Sequence, residues 1–134
     1  QISLPGGKKD YKDKSLWETA KRELNEELGV DTSIIRKIKK LKKLYIPPSN
    51  FLVTPYIAYA EINPNFIINK REVAELIIMK VQDLILLKKV NEKVKNSYLK
   101  NVLVPGYKIN NNFIWGATAM ILKEFKFILD LSAD

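Results

Sequence analysis

Cysteine and histidine are both absent from this chain. Without cysteine there is no disulfide, no thiolate nucleophile and no thiolate-held zinc, a composition compatible with a reducing cytoplasm. Without histidine, Ser-His and Cys-His catalysis are excluded, so a general base has to be a carboxylate, a lysine, a tyrosine or an activated water. No apolar run approaches the roughly 18 residues of a membrane span, and there is no secretory pattern, so a membrane role is not expected. Methionine occurs only at Met79 and Met120, and the chain opens on Gln1 in what reads as the end of a strand. The expectation is a fragment lacking an N-terminal piece that carries one or more strands.

What is present is an ordinary soluble balance, 46% hydrophobic and 28% charged over 134 residues, the size of one domain. The net charge of +8 comes from 20 lysines and 3 arginines against 15 acidic residues. Two readings stay open: a compositional bias shared with the many Asn and Ile, or a positive field that recruits a polyanionic small molecule or nucleic acid.

One segment states a chemistry. Gly6-Gly7 opens a loop that runs through Asp10 and Asp13 into Ser15-Leu16-Trp17-Glu18, an S-x-x-E capping box. In the helix that follows, Glu23, Glu26 and Glu27 stand at i, i+3 and i+4 and so converge on one face, beside Arg22. Leu16, Ala20 and Leu24 are expected to pack on a sheet from the other side, and Gly29 to end the helix in the left-handed conformation before Val30 re-enters the core. Three carboxylates in register repel one another, a cost that a hard divalent cation such as Mg²⁺ or Mn²⁺ removes. The plain alternative is a solvated acidic face.

Beyond Asp31-Thr32-Ser33, the stretch Ile34 to Tyr45 fits either a basic amphipathic helix or a strand with a solvated basic face, and the strand is favoured. The turn Pro47-Pro48-Ser49-Asn50 leads into Phe51 to Ala60, strand-like provided that Pro55 sits at a bulge or an unpaired position. Arg71 to Val81 reads as a loop entering a strand, Gln82 to Leu87 as a short helix, and Lys88 to Asn101 as a surface connection. A hairpin turns through Asn110-Asn111-Asn112, and a helix runs from Gly116 to about Asp130. Strands mixed with helices at this length predict an α+β sandwich in a single domain, residues 1–134.

Arg22-Glu23-Leu24-Asn25-Glu26-Glu27-Leu28-Gly29-Val30 resembles the second half of the Nudix box, G-x5-E-x7-R-E-U-x-E-E-x-G-U with U aliphatic, at every defined position. The first half departs from it: Gly7 lies 15 residues before Arg22 where the pattern has 14, and Asp13 stands near the expected Glu. This expanded form is similar to the coenzyme A pyrophosphatase branch of the family. Further matches are Gln1-Ile2-Ser3-Leu4-Pro5-Gly6-Gly7, Ser49-Asn50-Phe51-Leu52-Val53-Thr54-Pro55, Glu72-Val73 and Ile114-Trp115-Gly116-Ala117-Thr118-Ala119.

The resemblance implies a mixed β-sheet sandwiched between α-helices and a loop-helix-loop metal platform. It implies hydrolysis of a nucleoside-linked diphosphate with Mg²⁺ or Mn²⁺, most simply coenzyme A or an acyl derivative, giving 3′,5′-ADP and 4′-phosphopantetheine. ADP-ribose or another nucleoside diphosphate derivative is the alternative substrate. Glu23, Glu26 and Glu27 are the expected metal ligands, with the Gly7 carbonyl as an additional one. Arg22 would fix a carboxylate, and Glu72, with Glu75 as a weaker competitor, would be a base or extra ligand from a second loop. Asp10 and Asp13 are expected to brace the loop through Lys or Arg contacts, Lys8 and Lys9 to touch phosphate or stay solvated, and Trp115 to pack under the last helix. A non-catalytic module that binds nucleic acid is the rival reading, which the intact carboxylates disfavour. If a strand is missing, the open edge would invite a homodimer.

Overall fold

The computed structural model describes residues 1–95 and 101–132. Their contacts gather into two compact units. One comprises Leu4–Lys43 and Thr54–Ile78, the other Gln1–Ser3, Leu44–Val53 and Met79–Asp134. The architecture is α+β, and every strand pairing among the described residues is antiparallel, in two sheets of two strands and one of three.

The first unit carries helix α1 (Leu16–Leu28) and the paired strands β1 (Ile35–Lys40) and β4 (Tyr56–Ala60). Ser15 caps α1 by accepting the Glu18 N–H at 3.2 Å, an interaction worth roughly 1 kcal/mol. Glu18 pairs with Lys21 at 3.1 Å instead of completing the reciprocal half of the box. At the other end Gly29 takes φ 66° and donates its N–H to the Asn25 carbonyl at 2.8 Å. The buried side of the helix differs from the expected stripe. Leu16 is exposed, while Thr19 and Leu28 are buried, followed by Val30 at 1% exposure. Trp17 meets Tyr56 of β4 with ring centroids 5.3 Å apart. A stripe of small and medium aliphatics is a weaker anchor than one large ring able to reach across to the strand.

The basic segment is a strand, as favoured, but in two pieces. β1 is solvent-exposed at all positions after Ile35, with a bulge between Lys37 and Lys39. The chain then breaks at the buried Leu41, whose N–H donates to the Pro55 carbonyl at 2.9 Å. Pro55 lies between strands, where its missing N–H costs no ladder bond.

In the second unit, β2 (Leu44–Ile46) pairs with β3 (Phe51–Val53) across the Pro47–Asn50 turn, in which Asn50 adopts φ 57°. Helix α2 (Val81–Leu86) forms as expected. β5 (Lys89–Val94) pairs with β6 (Val102–Ile109), and β6 with β7 (Asn112–Trp115) through the Asn110-Asn111 turn. Helix α3 (Gly116–Ser132) follows. Its Ala119 forms a core with Tyr107 and Ile114, flanked by Ile2, Leu87, Ile109 and Leu122.

Two sequence expectations are corrected. Lys88 to Asn101 is not a plain surface connection, since Lys89–Val94 forms β5; residues 96–100 lie outside the described ones. The inward positions Val90, Glu92 and Val94 carry only two apolar side chains, too few to stand out, and the β6 ladder decides the conformation. Conversely, Val73 to Lys80 forms no strand: its apolar residues Ile77 and Ile78 have no partner ladder.

Candidate metal centre

The candidate site is assembled entirely within the first unit, around one buried carboxylate. Asp13, 8% exposed, accepts Nε and Nη2 of Arg22, both at 3.0 Å, the Thr19 hydroxyl at 2.9 Å and the Asp10 N–H at 2.9 Å. These donors, the guanidinium above all, hold the Asp13 carboxyl well below the usual carboxylate range, and Asp13 in turn raises the pKa of Arg22. The Asp13 N–H donates to the Asp10 carbonyl at 3.0 Å, so Asp13 braces the loop as expected, with arginine as the cation, while Asp10 takes part through its backbone and its carboxylate accepts the Lys12 backbone N–H at 3.1 Å.

The other guanidinium edge faces the acidic side of α1. Arg22 Nη1 donates to Glu23 Oε1 and Glu26 Oε2, both at 3.1 Å, and Nη2 also reaches the Lys8 carbonyl at 3.1 Å. Lys8 thus enters through its backbone, and its ammonium, like that of Lys9, belongs to an exposed residue. The Gly7 backbone runs against Glu23 so closely that a Cβ there would lie 2.5 Å from the carboxylate carbon. Gly6 donates its N–H to Glu27 Oε1 at 2.8 Å. The glycine pair therefore lets the loop approach two of the three carboxylates, which a side chain at position 7 would block.

Glu27 is half-buried and its pKa is raised, first by desolvation, then by its negative neighbours Glu23, Glu72 and Glu26, against the opposing Gly6 hydrogen bond. Glu72 is thereby brought within electrostatic reach of the helix face from a separate turn, and Glu75 is exposed nearby in sequence. Trp115 sits in the other unit, half-buried at the end of β7 opposite Gly106.

The donor set is chemically suited to a hard divalent cation: oxygen ligands only, four carboxylates, mutually repulsive. In the conformation described, however, Glu23 and Glu26 each spend an oxygen on Arg22. Among the described residues, no three carboxylates converge as a ready-made ligand group. The face is gathered on one helix and one turn.

Sequence reasoning missed Asn69. Its N–H donates to the Glu27 carbonyl at 2.9 Å, and its own carbonyl accepts the Glu72 and Val73 N–H groups at 3.0 and 2.9 Å. A single Asn in Ile68-Asn69-Lys70 offers no periodic signal; only the turn-forming habit of Asn hinted at it.

No helix among the described residues is long and apolar enough to cross a membrane. The family model for the NUDIX domain matches residues 1–101. The chain is 33% identical over 126 residues to the uncharacterized Nudix hydrolase NudL of Yersinia pestis (strain Pestoides F), and equally to that of Yersinia pseudotuberculosis serotype O:1b (strain IP 31758). The alignment covers 92% of this chain and 62% of each relative, so the chain spans somewhat under two thirds of their length. With the domain matched across both halves of the box, from the glycine loop to the carboxylate helix, this chain belongs to the Nudix family.

Proposed function

We propose that residues 1–134 form one catalytic domain that hydrolyses a nucleoside-linked diphosphate, with coenzyme A or an acyl derivative as substrate. The observation that carries this reading is the placement of Glu23, Glu26 and Glu27 on α1 against the Gly6-Gly7 loop, with the Gly6 N–H on the half-buried Glu27 carboxylate and the Gly7 backbone against Glu23; burial first, and the negative Glu23, Glu72 and Glu26 after it, raise the Glu27 pKa. A fold gains nothing from concentrating like charges in this way unless a cation uses them. Glu23, Glu26, Glu27 and Glu72 would hold Mg²⁺ or Mn²⁺, with the Gly7 carbonyl as an additional ligand. When bound, the metal supplies charge neutralisation at the diphosphate and a more acidic water.

The chain's own residues do the rest. Arg22, anchored by Asp13, keeps Glu23 and Glu26 on the substrate side of the helix. A carboxylate of this face accepts the proton of the attacking water, whose oxygen bonds to one phosphorus while the bridging P–O bond breaks and its electrons leave with the second phosphate. With coenzyme A the products are 3′,5′-ADP and 4′-phosphopantetheine. The choice of coenzyme A over ADP-ribose is supported by the expanded loop between Gly7 and Arg22 and by the motifs outside the box.

A hydrolysis panel containing coenzyme A, acyl derivatives, ADP-ribose, NADH and diadenosine polyphosphates tests both levels, run on the full-length protein with Mg²⁺, Mn²⁺ or EDTA. Coenzyme A cleavage abolished by EDTA is the expected result. Brisk ADP-ribose turnover without coenzyme A cleavage would replace the substrate and keep the chemistry. Glu26→Gln or Glu27→Gln is expected to lower kcat by a factor on the order of 10² to 10⁴. Unchanged kcat at saturating Mg²⁺ would remove the platform.

A further inference from the structure

The second loop of the site is not free-standing. Two backbone hydrogen bonds tie it to α1, and Asn69 closes the turn that follows. The Ile67 and Asn69 N–H groups donate to the Leu28 and Glu27 carbonyls at 2.8 and 2.9 Å, occupying two of the acceptors that the last turn of a helix leaves without partners. The Asn69 carbonyl then accepts the Glu72 and Val73 N–H groups. The Asn69 side-chain Oδ1 accepts the Arg71 N–H at 3.1 Å, so one residue closes the turn with both of its oxygens. Gly29 makes the approach possible, since a Cβ there would stand 2.7 Å from Ile67 Cβ.

Glu27 is therefore held at two points. Its carbonyl takes Asn69 and its carboxylate takes Gly6. Glu72 follows Asn69 by three residues in a turn whose hydrogen bonds all end on Asn69, so the reach of Glu72 is measured from Glu27 itself. We propose that Asn69 is a positioning residue of this enzyme, setting the distance between Glu72 on the second loop and the carboxylate face of α1. The proposal rests on the reading of that face as a metal-dependent hydrolytic site. The role assigned to Asn69 is exercised through Glu72, since its bonds run to Glu27, Arg71, Glu72 and Val73.

The test uses the full-length protein and four variants: Asn69→Ala, Asn69→Asp, Glu72→Gln and the double variant Asn69→Ala/Glu72→Gln. The first readout needs neither metal nor turnover. Amide exchange at Arg71, whose N–H loses its side-chain acceptor, is expected to accelerate in Asn69→Ala and to stay near wild type in Asn69→Asp, which keeps that acceptor, while Glu72 and Val73, bonded to the Asn69 backbone carbonyl, follow only as far as the turn loosens. The second readout is Mn²⁺ binding without substrate, followed by the resonance of free Mn²⁺. Asn69→Ala is expected to weaken it on the order of tenfold, the lower end of what an orienting partner contributes. Glu72→Gln should weaken it at least as much, and the double variant no more than Glu72→Gln alone. In turnover, kcat should fall in parallel while KM for coenzyme A holds.

Unchanged exchange and Mn²⁺ binding in Asn69→Ala would overturn the proposal, as would additive losses in the double variant. A wild-type affinity in Glu72→Gln would overturn it too, leaving the α1 face standing as a platform of its own. A wild-type protein that neither binds Mn²⁺ nor cleaves any diphosphate would fail at the earlier step, the hydrolytic reading, and carry this one down with it.

Discussion

At Asp13 a short acid stands where the family pattern has a longer one. It stands six residues after Gly7, where G-x5-E places Glu, and the residue added to the loop falls between Asp13 and Arg22. A carboxylate one methylene shorter still meets the guanidinium in a two-point pair, because the loop folds inward and buries it. The pair also sets a pH dependence. The Asp13 pKa is depressed in the folded protein from 3.8, its ordinary value, so its contribution is present above that pH and is lost as pH falls below it. Asp13→Asn should therefore lower Tm at neutral pH, and the gap to wild type should hold from pH 6 to about pH 3.8 and shrink as the melts are taken further down below it. A constant gap across the series would place the defect in packing and not in the charge. Loss of Asp13 should also loosen Arg22, so a reduced kcat is expected beside the lower Tm.

At the scale of elements, α1 and its two flanking loops form one device, and the sequence disclosed them unequally. The helix was legible from end to end, because Ser15, the carboxylate spacing and Gly29 are local signals that need no tertiary partner. The buried side of that helix was less so: Leu16 was expected to anchor it and is exposed, whereas Trp17 meets Tyr56 of β4. β5 was hidden because Lys, Asn and Glu fill most of its positions and pairing with β6 outweighs propensity. The turn at Asn69 was hidden for a different reason, being made mostly of backbone bonds and closed by one side-chain oxygen of a lone Asn. Glycine replacements separate the loops. Gly7→Ala would push the Glu23 carboxylate from its place, and a shift near 1 Å is worth a factor on the order of 10² in turnover. Gly29→Ala meets both an unfavourable φ of 66° and the Ile67 side chain, so it should cost more than about 1 kcal/mol in a urea melt. If Gly7→Ala lowered stability and spared turnover, the loop would be a structural support only.

At the scale of the whole molecule, the question is what +8 is for, and the two kinds of basic residue answer it differently. Arg22 and Arg36 are committed to geometry: the first bridges Asp13, Glu23 and Glu26, and the second pairs with Glu61 at 2.6 Å. That is the use for which a rigid planar fork is suited. Most of the charge is lysine, and Lys39, Lys40 and Lys43 stand exposed on or beside β1. If the lysines supply a field that draws in a polyanionic substrate, the effect acts on encounter and is screened, since the Debye length is roughly 10 Å at 0.1 M salt. kcat/KM for coenzyme A should then fall several-fold as KCl is raised from about 20 to about 300 mM, while kcat holds. Replacing Lys39, Lys40 and Lys43 together by Gln should lower kcat/KM at low salt and flatten its salt dependence. A steep salt dependence that survives the triple replacement would locate the steering charge elsewhere in the chain. No salt dependence at all would mean that the lysines reflect composition, and that the anionic substrate is recognised only after it arrives.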